Sequence, residues 1–305
     1  MFHDEITPAE ERAKWHQVYG RFADTVGACI RLFIWVMEEV QRAAREDGRD
    51  IHATLNMLMF EFAEPIDGVS ILVRSGATKN CSQLLRTALE IQLSLRYVMQ
   101  KKESYERRCL AYEYYHLREQ LSWAQRCDPT SQVGKQLRHE LVNDPMANLF
   151  DIKGIDISDE IRDLEKRMNA ARYKDVRTEV ARLTKEKRNH KNWFSLWNGP
   201  ADVRRLAFSL NLGSLYEVLY RGYSTVGHGA GAFKRMSWKS SELIRFEALR
   251  SPSGLSGMCL NACQICNSMT LFLVDALVPH IREAVKKRYV DIQPGLAFVQ
   301  SVHIN

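Results

Sequence analysis

WHQVYGRFADTVGACIRLFIWVM, residues 15–37, decides the fold. Trp15, Tyr19, Phe22, Val26, Cys29, Ile30, Phe33 and Met37 recur mostly at three- and four-residue steps, so they share one face of an α-helix. Just upstream, Thr7-Pro8-Ala9-Glu10 has the form of a capping box with proline at the first helical position. Asp47-Gly48 supplies the stop. A helix this long with one apolar face needs other helices to cover it.

Those helices can be read outward from this stretch. A second runs from Ile51 to about Arg74, with Pro65 marking a break or kink. Gly76 separates it from a third, Thr78 to Gln100, whose apolar positions include Leu84, Leu85, Ala88, Leu89, Ile91, Leu95 and Val98. A fourth, Glu103 to Cys127, carries Tyr112, Tyr114 and Tyr115 and is closed by Asp128-Pro129-Thr130-Ser131. Further helices are expected over Asp202–Ser209, from Ser214 onward, and from Leu255 to Arg288 with a bend at Pro279. The tail YVDIQPGLAFVQSVHI reads as a short hairpin or as a segment lying along the surface. There is no internal repeat and no βαβ alternation, so the expected class is all-α: a helical bundle with a charged helical insertion. Residues 1–128 supply its N-terminal helices, 129–192 the insertion, and 193–305 the C-terminal helices that complete it.

The insertion stands out by composition. DISDEIRDLEKRMNAARYKDVRTEVARLTKEKRNHK is dense in both charge signs and poor in apolar residues, the pattern of a solvated helix or helical hairpin. Its basic end, Lys185 to Lys191, reads first as a solvated face and second as an RNA contact.

Bulk properties exclude little. The 305 residues are 45 % hydrophobic and 26 % charged, with net charge +6, which tolerates a phosphate-bearing partner without requiring one. The N-terminal MFHDEITPAEERAKW is polar where a secretory signal is apolar. The longest apolar runs, Leu32–Met37 and Leu271–Val274, are too short to span a bilayer. Seven scattered cysteines fit reduced thiols. The expectation is a cytoplasmic protein without a membrane association.

CLNACQIC places Cys259, Cys263 and Cys266 at the Cys-x3-Cys-x2-Cys spacing of radical S-adenosylmethionine iron–sulfur sites. Here they fall on one face of an apolar helix instead of a loop, so they read as small buried thiols in a helix seam. No metal or cofactor site is expected from the chain.

YRGYSTVGHGAG, residues 220–231, carries the chemistry. On a helix Arg221, Ser224 and His228 lie within about 60° of one another. Histidine moves protons near neutral pH, arginine grips a phosphate bidentately, and a hydroxyl positions an oxygen. Together they suit metal-free RNA cleavage by attack of a 2′-oxygen on the adjacent phosphorus. Earlier, Arg86 and Glu90 sit one turn apart in an otherwise apolar helix, where charge is costly unless paired. The polar face of Arg221, Ser224 and His228 is the expected partner. Two plainer readings stand beside catalysis. In one, Arg86 with Glu90 and Ser224 with His228 only tie helices and satisfy carbonyls. In the other, the glycines form a phosphate-binding nest.

Arg221 and His228 also show the Arg-x4–6-His spacing of the HEPN ribonucleases (higher eukaryote and prokaryote nucleotide-binding domains), although Arg45 and His52 match it too, across the Asp47-Gly48 turn. GVSILVRSGATKNCSQLLRTALEIQLSLRY, residues 68–97, with its Leu84-Leu85-Arg86-x3-Glu90 element, resembles a large bacterial helical family of unknown function. So does the later Tyr220-x3-Ser224-x3-His228 element. The resemblance covers roughly residues 50–125 and 193–235. It implies a helical bundle, while the HEPN likeness implies an earlier helix supporting the Arg/His helix, an RNA substrate and a homodimer. Where HEPN proteins usually place a polar residue after the arginine, this chain has Gly222. The expected function is a HEPN-like, metal-independent endoribonuclease, a toxin or phage-defence effector. Its catalytic residues would be His228, Arg221 and Ser224, with Arg86, Glu90 and Tyr220 in support. A non-catalytic interaction or regulatory protein, or a nucleotide sensor, is the alternative.

Overall fold

The computed structural model describes residues 9–47, 53–146, 157–227, 236–238, 244–246, 252 and 254–302. The expected cap at Thr7-Pro8 lies outside them. Residues Met1–Arg96 with Ala207–Asn305 form one compact unit, and Tyr97–Leu206 form a second. The fold is all-α. A two-stranded antiparallel ladder, β1 (Met236–Trp238) with β2 (Ile244–Phe246), is the one β element among the described residues.

In the first unit, α1 (Ala9–Glu46) is the helix on which the others assemble. Tyr19, Phe22, Val26, Cys29, Ile30, Phe33 and Met37 are buried along it, the stripe its periodicity defines. α2 (Ala53–Arg74) packs on α1 through the tilted ring pair Phe33–Phe62, centroids 4.9 Å apart. The Ser70 hydroxyl donates to the Ala23 carbonyl at 3.0 Å. α2 continues through the buried Pro65, so of the expected break or kink the break does not occur. A missing N–H costs the helix one bond, and here flanking Phe62 and Ile66 are both buried.

α2 ends at Gly76, which has φ +77°. The Gly76 N–H donates to the Val73 carbonyl and the Ala77 N–H to the Leu72 carbonyl, the two reverse bonds of a Schellman motif. After a 3₁₀ turn, α3 (Cys81–Met99) follows. It is tied to α11 (Leu255–Leu277) through Ser268, whose hydroxyl accepts from Gln92 at 3.1 Å and Arg96 at 2.8 Å.

α11 packs on α1 and also touches α2. Cys259, Cys263 and Cys266 are buried within it, as small thiols in a helix seam would be. A hydrogen bond with Cys29 of α1, together with burial, pushes the Cys263 thiol up, and burial does the same at Cys266. Protonated thiols are the form that apolar packing favours. Among the described residues α11 is also the helix long and apolar enough, by length and composition, to cross a membrane; half of its most apolar window is buried inside the protein. It stops at Leu277, and Pro279 opens a separate 3₁₀ turn leading into α12 (Arg282–Val290).

The tail is not a strand. Residues Gln293–Ser301 form α13, with Pro294 in its first turn, where a missing N–H costs nothing. Phe298 meets Phe22 of α1 edge-on at 5.6 Å, and the Ser256 hydroxyl donates to the Val299 carbonyl at 2.7 Å. The four apolar residues of this segment, Leu296 to Val299, form one unbroken run that shows no helical period, and contact with α1 decides the outcome.

The second unit is built on α4 (Tyr105–Cys127). α5 (Gln132–Glu140) is capped by the Ser131 hydroxyl, which accepts from the Gly134 N–H at 2.8 Å. α6 (Ser158–Met168) and α7 (Lys174–Lys185) are the charge-dense segment. Their outer faces are solvated as expected, yet Leu164, Met168, Tyr173, Val176 and Leu183 form a core with Ala111, Tyr114 and Leu117 of α4. Glu179 is buried in this unit, where it accepts from the Trp197 N–H at 2.8 Å. Its bond to Arg182 holds its carboxyl below the ordinary range. α8 (Val203–Ser209) begins with Asp202 accepting from the Arg205 N–H at 2.8 Å.

Gly76→Ala is expected to cost about 1–2 kcal/mol, since a side chain in the left-handed region meets its own carbonyl. Gly76→Asn is expected to cost less. Urea unfolding midpoints of the two variants check this, and equal stability of Gly76→Ala and wild type would contradict it.

Candidate functional site

The sequence element that ends in YRGYSTVG is a composite helix. α9 (Gly213–Leu215) passes into a π-helical turn over Tyr216–Tyr220, then into α10 (Arg221–Gly227). π-turns are rare and concentrate at functional sites, because the looser winding redirects side chains. Here the turn stacks Tyr216 on Tyr220, centroids 4.8 Å apart and planes 19° from parallel.

Tyr220 is the residue that meets α3. Its hydroxyl donates to Glu90 Oε1 at 2.7 Å and accepts from Arg86 Nη2 at 3.2 Å. Arg86 Nε in turn donates to the same Glu90 oxygen at 3.2 Å. The three side chains close a ring of hydrogen bonds, with the guanidinium 5.0 Å from the Tyr220 ring centre. Arg86 and Glu90 are one turn apart, and Tyr220 arrives from 130 positions away. Burial, then the bond to Glu90, pushes the Tyr220 phenol up to about 12. It is therefore a donor throughout the neutral range. The ring is not sealed: the Glu90 side chain remains 43 % exposed.

The expectation that Arg86 and Glu90 face Arg221 is corrected. Arg221 follows Tyr220 by one residue, about 100° around the helix axis, so the two cannot share a face. Its side chain is 68 % exposed and pairs with Glu217 at 2.7 Å. The Ser224 hydroxyl donates to the Tyr220 carbonyl at 2.8 Å, one turn back. Tyr223 turns inward, is buried, and accepts from Asn261 Nδ2 at 2.7 Å. His228 lies outside the described residues. The structure thus joins Arg86, Glu90 and Tyr220 and sets Ser224 beside them on the backbone. Arg221 stands on the open side.

Tyr216 and Glu217 were missed. Both were legible as four-residue partners, Tyr216 of Tyr220 and Glu217 of Arg221, since residues so spaced are neighbours on a helix. No group of three or more metal-ligating side chains occurs among the described residues.

The Tyr220 phenol makes a pH prediction. Its raised value in the folded state means that the unfolded chain ionises first as pH rises. The associated stability is whole below about pH 10 and is lost by about pH 12. Tyr220→Phe is expected to flatten that alkaline fall and to lower stability near neutrality by about 1 kcal/mol. Thermal melts from pH 8 upward check both, and an unchanged alkaline slope in the variant would refute the assignment.

Residues 55–242 match the family described as Family of unknown function (DUF5677). No curated protein and no solved structure matches the chain. The matched segment covers more than half of the sequence and contains Arg86, Glu90, Tyr220, Arg221, Ser224 and His228, whereas α1 and α11–α13 lie outside it. The chain belongs to the DUF5677 family.

Proposed function

We propose that this chain is a HEPN-like, metal-independent endoribonuclease whose reacting groups lie on the segment from Tyr220 to His228. The observation that carries the proposal is the hydrogen-bonded ring of Arg86, Glu90 and Tyr220, which fixes that segment to an earlier helix while Arg221 stays exposed. A polar support from an earlier helix is the arrangement the HEPN likeness implies.

The chemistry is a transesterification. His228 takes the proton from a ribose 2′-hydroxyl, and the oxygen attacks the adjacent phosphorus. The 5′-oxygen of the next nucleotide leaves and is protonated in turn, giving a 2′,3′-cyclic phosphate and a 5′-hydroxyl. Arg221 clamps the non-bridging oxygens and offsets their charge as it grows. Its present partner is easily exchanged, because water screens an exposed pair four residues apart. Ser224 and Tyr220 position, and Arg86 with Glu90 hold Tyr220. A second copy of the chain and RNA are the proposed partners, in a cytoplasmic toxin or phage-defence setting.

One specific observation favours a second reading, a helical regulatory or nucleotide-sensing protein: Tyr220, Arg221 and Ser224 are each already bonded within the chain. Incubating a mixed RNA pool in EDTA separates the two. Wild type is expected to cut RNA to 2′,3′-cyclic phosphate ends. His228→Ala is expected to lose about 10²–10⁴-fold in rate and Arg221→Ala about 10²–10³-fold, with unchanged melting. A wild type that is well folded and cuts nothing overturns the nuclease in favour of the second reading.

A further inference from the structure

The second unit holds an open cavity of about 580 Å³, lined by α4 and by residues 191–193. That size suits small organic ligands. Its walls alternate rings and cations: Tyr115, Trp123 and Trp193 with Arg118, Arg126 and Lys191. Arg118 lies over the Tyr115 ring at 5.0 Å and Arg126 over the Trp123 ring at 5.3 Å.

Two of the rings are fixed in place. The Tyr115 hydroxyl donates to the His190 carbonyl at 2.6 Å, and Trp193 packs edge-on against Tyr112 at 5.4 Å. The third is exposed. Trp123 is 59 % accessible and also borders a second hollow of about 450 Å³ beside Ala124 and Ile157. A large ring left largely in water between two hollows, with only Arg126 over it, can stack a base.

Beyond those ring contacts the cations are not neutralised. Several other arginines of this unit are committed to carboxylates: Arg172 to Glu113, Arg182 to Glu179 and Glu186, Arg162 to Asp159. Among the described residues no ion pair engages Arg118, Arg126 or Lys191. Glu119 is the carboxylate in the wall, against those three cations. Rings that accept the face of any base, beside positive charge that tracks a backbone, are the chemistry of single-strand recognition.

We propose that this cavity binds single-stranded RNA, with a base stacked on Trp123 and the flanking phosphates held by Arg118, Arg126 and Lys191. The choice of RNA over DNA rests on the nuclease reading; the stacking and phosphate contacts do not.

The test is fluorescence anisotropy with a labelled dodecameric oligouridylate and full-length His228→Ala, which keeps the probe intact. Binding is expected to weaken with salt, with a slope near −2 in log K against log salt from three phosphate contacts at about −0.7 each. Trp123→Ala is expected to weaken binding about five- to hundredfold. Arg118→Ala and Arg126→Ala should each remove about 0.7 from the slope. All three side chains are exposed, and matched melting curves confirm that the variants fold. A duplex of matching length should compete at least about tenfold less well.

Several results overturn the proposal: no binding, binding indifferent to Trp123→Ala, equal affinity for duplex, equal affinity for the deoxy oligomer, or full competition by uridine monophosphate with no gain from chain length. The last would assign the cavity to a free nucleotide. Binding by His228→Ala alongside a wild type that cuts nothing upholds this inference and removes the nuclease. Cleavage that survives Trp123→Ala with unaltered RNA affinity does the reverse.

Discussion

Burial of one long helix governs the first unit. Each large apolar side chain of α1 contributes about 1.5–3 kcal/mol when withdrawn from water, but only if neighbours cover it along its whole length. α2, α11 and α13 do so, and their positions follow from that demand. α11 in turn holds Ser268 where Gln92 and Arg96 of α3 can reach it. α3 then presents Arg86 and Glu90 to Tyr220. The candidate site is thus the outermost layer of a sequence of contacts that begins with Phe22 and Phe33.

The ring of Arg86, Glu90 and Tyr220 ties two distant parts of the chain. A charged pair on an apolar helix is costly while its lone pairs and protons are unmet, and the Tyr220 hydroxyl meets one of each. The same contact fixes the rotation of the helix that carries Arg221 and Ser224. With Tyr220 held on α3, Arg221, about 100° further round the helix, is left exposed to solvent. Backbone winding contributes as well, because the π-turn over Tyr216–Tyr220 sets the phase at which α10 begins.

The second unit shows how a charge-rich segment can still build a core. α6 and α7 each supply a narrow stripe, Leu164 with Met168 and Val176 with Leu183, and Tyr173 fills the space between. Tyr173 also donates to Glu113 at 2.9 Å, and Arg172 pairs with that same carboxylate. α4 is therefore buried on one face and bears aromatic rings with unpaired arginines on the other. Its tyrosines, read in sequence as one cluster, take different roles: Tyr114 enters the core, Tyr112 lines the cavity, and Tyr115 both packs on the core and lines the cavity.

Amino-acid order by itself determined whatever depends on neighbours within two turns. The helical class, the α1 stripe, the separation at Gly76 and the proximity of Arg86 and Glu90 all follow from local spacing and backbone sterics, whereas Pro279, read as a bend, ends α11 outright. Tertiary structure decided the rest. The tail became a helix because Phe298 found Phe22, and the charged segment acquired a core because α4 covered its sparse stripes. Tyr220, not Arg221, reached Glu90 because a contact across 130 positions is fixed by how helices pack and how the intervening turn winds. No local period encodes that angle, since it is set by shape matching between surfaces that meet only after the chain has folded.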